Sequence, residues 1–257
     1  MATKTKTKKS RLPRIVVWFG IVSLLTDVGS EMIYPLLPLF LSNVLHAPRA
    51  FIGAVEGAAE ATASLLKLVS GRISDRLRHR KPLVVLGYGI SSLMRPIVGL
   101  ATQPWHVLGT RVADRVGKGL RASPRDALLA DAADPAERGR AFGFHQAMDN
   151  AGAIFGPVIA TVLLGVGLKM RSVFLLSAIP GALAMTALVF GVREEERKDG
   201  GEAAVAERKQ KSDVPFSATF SRYLVCVALF GLGNSSDAFL LLRGQQCGVA
   251  VHWIPLL

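Results

Sequence analysis

The sequence predicts an all-α, polytopic membrane protein, on three observations. Half of its 257 residues are hydrophobic, and the mean hydropathy of +0.36 is high for a chain that needs only one buried core. The apolar residues gather into runs of about 20, the length at which a helix crosses the hydrocarbon of a bilayer. The lysines and arginines cluster between these runs, mostly between every second pair.

Six spans follow in order. Ile15 to Asn43 is long and apolar but contains Asp27 and Glu31. Phe51 to Ser70 carries Glu56, Glu60 and Lys67. Pro82 to Ala101 is broken only by Arg95, which beside Pro96 puts a charge at a kink. Pro104 to Asp131 is the most charged span, Arg140 to Gly165 is apolar after Asp149, and Ser172 to Val192 has no charge. The segment 193–218 is rich in both charge signs and reads as a solvated linker. A seventh span is expected over Phe220 to Leu242, and an eighth from near Gly248. The domain reading is a basic tail at 1–14, a six-helix bundle at 15–192, the linker, and an incomplete start of a second bundle at 219–257.

The charges give the orientation. With the N-terminus in the cytoplasm, the inside segments 1–14, 71–82, 132–140 and 193–218 hold 19 Lys/Arg, and the outside loops hold three. That bias predicts a multi-pass protein of a bacterial-type inner membrane with its N-terminus cytoplasmic and no cleaved signal. It also accounts for the net charge of +12 without nucleic acid. Cys226 and Cys247 lack metal-ligand spacing and read as packing residues, and the five histidines are scattered. Gly117-Lys118-Gly119 lacks the frame of a nucleotide-binding loop, so no cofactor is expected. A membrane-embedded enzyme is disfavoured, because no nucleophile with a nearby base and no metal cluster is visible.

The segment from Gly71 to Lys81, GRISDRLRHRK, joins spans two and three. Gly71 permits close backbone approach, Asp75 can cap or pair with a neighbouring helix end, and Arg76, Arg78 and Arg80 hold the loop in the cytoplasm. This loop resembles the signature of the major facilitator superfamily, with Arg78 where that family has glycine. Arg111 resembles the family's intramembrane arginine in span four, with Asp114 and Arg115 replacing the usual Gln-Gly. The segment from Asp134 to Gly143 is similar to the loop between spans four and five. Gly152, Gly156 and Pro157 resemble a fifth-span motif found in antiporters, and the same glycine pair would serve equally as a packing face. The resemblance implies a secondary transporter of twelve helices in two halves, moving a small solute by alternating access. The 193–218 linker lies where the family's central loop belongs, and Ser30-Glu31 finds an echo in Ser236-Asp237. It further implies that this chain is truncated inside the eighth helix, so a non-transporting remnant or an accessory membrane subunit is the alternative.

Ionised groups at bilayer depth are costly and mark functional paths or partners. Asp27 and Glu31 lie one turn apart on one face, a pair suited to holding a proton, or to pairing with arginines of span four. Arg111, Asp114, Arg115, Lys118, Arg121 and Arg125 form one helical stripe. In the resembled family spans one and four line the central cavity; the stripe suggests an organic anion, while the acidic pair Asp27 and Glu31 would suit proton-coupled export of drugs or uptake of sugars. Asp114 is expected to pair with Lys118 or Arg115, Asp149 with Arg95 or the stripe, and Glu56 to sit near the outer surface.

Overall fold

The computed structural model describes residues 12–77, 79–194, 217–233 and 236–257, with the backbone alone given for Arg76, Ala218, Ala228, Leu232 and Gly233. Expectations placed on 1–11, Arg78, 195–216 and Asn234 lie outside the described residues. Everything described is helical or connecting loop. Helix α1 runs over Arg14–Val44, α2 over Arg49–Arg76, α3 over Lys81–Leu100, α4 over Pro104–Ala132, α5 over Arg138–Gly165 and α6 over Met170–Gly191. Each coincides with a span expected from the sequence to within a few residues.

The helices end where local chemistry demands. Pro35 lacks an N–H and crowds the carbonyl one turn back. Regular α1 accordingly stops at Glu31, and Tyr34–Leu36 tightens to a 3₁₀ turn before the span resumes. Gly167 adopts φ +90 after α5. Its N–H reaches the Leu164 carbonyl at 3.0 Å and that of Leu168 reaches Leu163 at 3.1 Å, the paired bonds of a Schellman cap.

Four of the six helices (α1, α3, α5 and α6) are both long and apolar enough to cross a membrane on composition. The other two, α2 and α4, are of spanning length, 28 and 29 residues, but charged. They pack against each other, and α4 also packs along α3, while α1 packs on α5 and α6. Lipid offers no hydrophobic drive between helices, so close backbone approach must supply the contact. Glycine makes it possible at the crossing of α3 and α4, where a Cβ on Gly117 would lie 2.5 Å from the Gly87 carbonyl oxygen.

The interior has three layers. Val16, Phe19, Val84, Tyr88, Leu129 and Leu188 form an apolar cluster at the end that carries the α2–α3 loop, here the basic end. Leu36, Leu39, Phe40, Ile52, Val107 and Phe174 form a second cluster at the far end. Between them lies a belt of buried polar side chains: Thr26, Ser91, Arg95, Arg111, Asp114, Arg115 and Arg121. Outward faces are greasy, as lipid contact requires.

The expected seventh span, Phe220 to Leu242, is not one helix. It is broken into α7 (Ala218–Gly233) and α8 (Asp237–Gln246). The reason is local: Ser236 is extended and its side chain accepts the Ala238 N–H at 3.3 Å, while Asp237 occupies the first turn. Serine followed by aspartate is a helix start. A second Schellman cap closes α8 at Gly248 (φ +91), and the expected eighth helix is instead a 3₁₀ turn, Val251–Leu256. Helix α8 seats on α1 and α2 at the far end, and the terminal turn on α5, with Ile254 fully buried.

Candidate functional site

The site is the polar belt and the face that opens from it. Arg95 of α3 reaches into the centre of the bundle and ties three helices together. Its Nη1 donates to the Thr26 carbonyl of α1 at 2.7 Å, and its Nε to Asp114 Oδ1 of α4 at 3.1 Å. Asp114 also faces Arg111 Nη1 at 3.9 Å, one turn back on α4. It therefore pairs with Arg95 and Arg111, not with Lys118 or Arg115 as the sequence suggested, because α4 turns Asp114 inward against α3.

Arg111 carries the network to α2. Its Nη2 donates to both oxygens of Glu56, at 3.1 and 3.3 Å, and the Tyr34 hydroxyl donates to the same carboxylate at 3.1 Å. Glu56 is thus a half-buried ion-pair partner of Arg111. The Arg111 guanidinium lies 4.6 Å from the centre of the Tyr34 ring, and that of Arg115 lies 5.8 Å from it. Farther along α4, Arg121 donates to Ser91 Oγ at 2.8 Å and stacks on Tyr88 at 4.2 Å.

Charge accounting along the stripe then separates its cations. Arg95 and Arg111 are neutralised by Asp114 and Glu56. Arg115 is buried, yet among the described residues no carboxylate lies within ion-pair distance and its Nε has no hydrogen-bond partner. Lys118, one turn on, is exposed on the open face. Asp27 and Glu31 are half-buried on α1, also without an ion-pair partner among the described residues.

The α1–α5 interface explains how these carboxylates are held. A Cβ on Gly152 would lie 2.8 Å from the Asp27 Cβ, and one on Gly156 would lie 2.6 Å from the Glu31 Cβ. The two glycines therefore let α5 run against the backbone that carries both acids. Pro157, next in line, leaves the carbonyl of Ala153 without its helical donor. One turn before Gly152, Asp149 accepts a hydrogen bond from Ser23 and faces His145 Nδ1 at 3.7 Å. Asp149 is therefore not the partner of Arg95 or of the arginine stripe.

The α2–α3 loop forms a separate cluster at the basic end. Arg80 is buried, with Nη1 2.6 Å from Asp131 Oδ2 at the end of α4 and Nε 3.4 Å from the Ser74 carbonyl. Asp75 is half-buried in the last turn of α2. The start of α3 is capped by Glu194, whose two oxygens accept the N–H groups of Arg80 and Lys81 at 2.8 and 2.9 Å. Sequence reading placed Glu194 in the linker. The available signal was the uncapped N-terminus ahead of Pro82, which needs an acceptor from elsewhere. Gly71 proves less constrained than expected: a Cβ there would meet Ser123 Oγ at 3.6 Å, an ordinary contact.

Comparison with known proteins agrees with this architecture. The chain is 31% identical over 244 residues to an uncharacterized MFS-type transporter of Methanocaldococcus jannaschii, covering 95% of this chain and 60% of that protein. It is 34% identical over 227 residues to an uncharacterized protein of Mycobacterium tuberculosis, covering 86% and 55%. With the multidrug resistance protein MdtH of Photorhabdus laumondii it shares 28% over 192 residues, covering 73% and 48%. The chain thus spans about half the length of the curated relatives it matches. Among solved structures, a bacterial homolog of the human lysosomal transporter Spinster, inward-facing and unoccupied, aligns with a TM-score of 0.69 at 19% identity, covering 94% of this chain and 57% of that one. The family model of the Major Facilitator Superfamily matches residues 19–256, so this integral, multi-pass membrane chain belongs to that superfamily.

Proposed function

We propose that the chain is the first half of a secondary active transporter that carries a small organic anion by alternating access, coupled to protons. The observation that carries this reading is that, among the described residues, neither the cations Arg115 and Lys118 nor the carboxylates Asp27 and Glu31 are engaged in an ion pair. A cation held at membrane depth without a carboxylate is poised for an anionic ligand. A carboxylate pair one turn apart beside it is suited to taking up and releasing a proton as that ligand enters and leaves. Kinship with a multidrug resistance protein supports transport as the activity.

The test uses proteoliposomes holding the protein with its second bundle, an imposed proton gradient, and a panel of mono- and dicarboxylates, dipeptides, neutral sugars and organic cations. A carboxylate-bearing probe is expected to drive proton movement. Arg115→Gln and Lys118→Gln are each expected to raise its KM about tenfold to a hundredfold, the worth of one charge-assisted hydrogen bond. Asp27→Asn is expected to abolish proton-driven accumulation while leaving exchange of the probe across the membrane. Transport confined to neutral or cationic probes, with Arg115→Gln unaffected, would sink the anion assignment.

The same reading places the N-terminus and the α2–α3 loop in the cytoplasm of a bacterial-type cell, supported by the 19 to three distribution of Lys/Arg. In a variant with both native cysteines replaced by serine, a cysteine at His79 is expected to react with an impermeant maleimide only after the inner face is exposed. One at Lys169 is expected to react from outside. The reverse pattern would overturn the orientation.

A further inference from the structure

We infer that a cavity at the basic end, between the start of α3 and the end of α6, binds the headgroup of an anionic phospholipid from the adjoining leaflet. The cavity has a volume of about 590 Å³ and is lined by His79, Lys81, Pro82, Val85, Arg193 and Glu194. It takes no part in the polar belt and lies at the opposite end of the bundle from α8.

Three features of the cavity select this ligand. The first is charge. His79, Lys81 and Arg193 are basic, against one acid, and the oxygens of that acid, Glu194, are already engaged by the N–H groups of Arg80 and Lys81. Lys81 is anchored by one bond from Nζ to the Val189 carbonyl at 3.0 Å, which fixes the ammonium at the rim with donors to spare. The second is depth. Lys81 opens α3 and Arg193 follows α6, so the cations sit where spanning helices leave the hydrocarbon. Basic pockets between helices at that level suit phosphate headgroups. The third is the wall beneath. Pro82, Leu86 and Leu93, spaced four and seven apart, form one outward face of α3 that begins in the cavity, and Leu86 and Leu93 are 54% and 59% exposed. Across the groove, Val189 of α6 is also exposed. A soluble phosphate would use the rim and ignore this stripe. A lipid uses both, with its phosphate among the cations and its acyl chain along α3.

Native mass spectrometry of the 257-residue chain in mild detergent tests this, with dioleoyl phosphatidylglycerol and dioleoyl phosphatidylcholine as probes. Retention of the glycerol lipid is expected at roughly tenfold lower concentration than the choline lipid. One basic side chain near a membrane surface is worth about fivefold in affinity for anionic lipid. Arg193→Gln is therefore expected to cut the preference to about twofold, and Lys81→Gln with Arg193→Gln to remove it, bringing the two lipids level. Arg49→Gln with Lys169→Gln, at the other end of the bundle, is expected to leave the preference intact. The single Arg193 variant, on an exposed residue beyond the helix, serves if the double variant does not fold. Equal retention of both lipids by the unaltered chain would overturn the site, as would a preference indifferent to Arg193. Equal loss in the Arg49/Lys169 control would do the same. Displacement of the glycerol lipid by millimolar inorganic phosphate would reassign the cavity to a soluble anion and also overturn it.

Discussion

Asp114→Ala is expected to destabilise the bundle by about 3–5 kcal/mol, the usual cost of leaving a buried charge without its partner. Asp114 is 5% exposed and lies between Arg95 at 3.1 Å and Arg111 at 3.9 Å, so its loss strands the Arg95 cation in the middle layer. Arg111 keeps Glu56, whereas Arg95 keeps only the Thr26 carbonyl. The effect should therefore fall mainly on the α1–α3–α4 junction. The measurement is the unfolding midpoint of the purified protein in detergent. Arg95→Met combined with Asp114→Leu is expected to recover most of the loss, since an apolar pair of similar volume needs no counter-charge. A fall in stability as large in the double variant as in Asp114→Ala would show that packing, not charge, holds that junction.

Gly156→Leu is expected to abolish the α1–α5 packing and with it any flux through the protein. Even a single Cβ at 156 would lie 2.6 Å from the Glu31 Cβ and 2.9 Å from the Val28 carbonyl oxygen, and backbone cannot give way cheaply. Gly156→Ala alone should cost about 1–3 kcal/mol, the range for overpacking a filled interior. Gly109 is the matched control: nothing lies within 4 Å of a Cβ there, so Gly109→Ala should be neutral or stabilising by up to about 1 kcal/mol. Equal melting temperatures for the Gly156→Ala and Gly109→Ala proteins would refute the close crossing.

Much of the fold was legible in the sequence because bilayer thickness imposes a length and lipid imposes a composition. Ile15 to Val192 could be parsed into six spans on those two constraints alone. The break at Ser236 escaped the same logic. Hydropathy averages over a window, and a two-residue helix start inside an apolar run scarcely alters the mean, although serine before aspartate is itself a capping signal. Within the site, the sequence could name expensive residues but not their partners. Arg111 and Asp114 stand out as charges in lipid. That Arg111 meets Glu56 and Asp114 meets Arg95 depends on which helices touch, and periodicity fixes only the face of each helix. The one hint in the sequence is that α2 and α4 are the two charged spans, which makes them candidates to pair, as Glu56 and Arg111 do. At Gly71 the family-like pattern predicts a close approach, whereas the space around it is ordinary.

The middle layer also bears on how the protein comes to be in the membrane. Helices α1, α3, α5 and α6 are apolar enough to partition from the translocon one at a time, while α2 and α4 are not, because each charge at mid-depth adds roughly 2.5–3.5 kcal/mol to insertion. The Glu56–Arg111 pair offsets one such charge on each of these two helices once they meet. Substitutions at Glu56 or Arg111 should therefore surface first as chains that the cell fails to integrate and degrades, before any assay of the mature protein is reached.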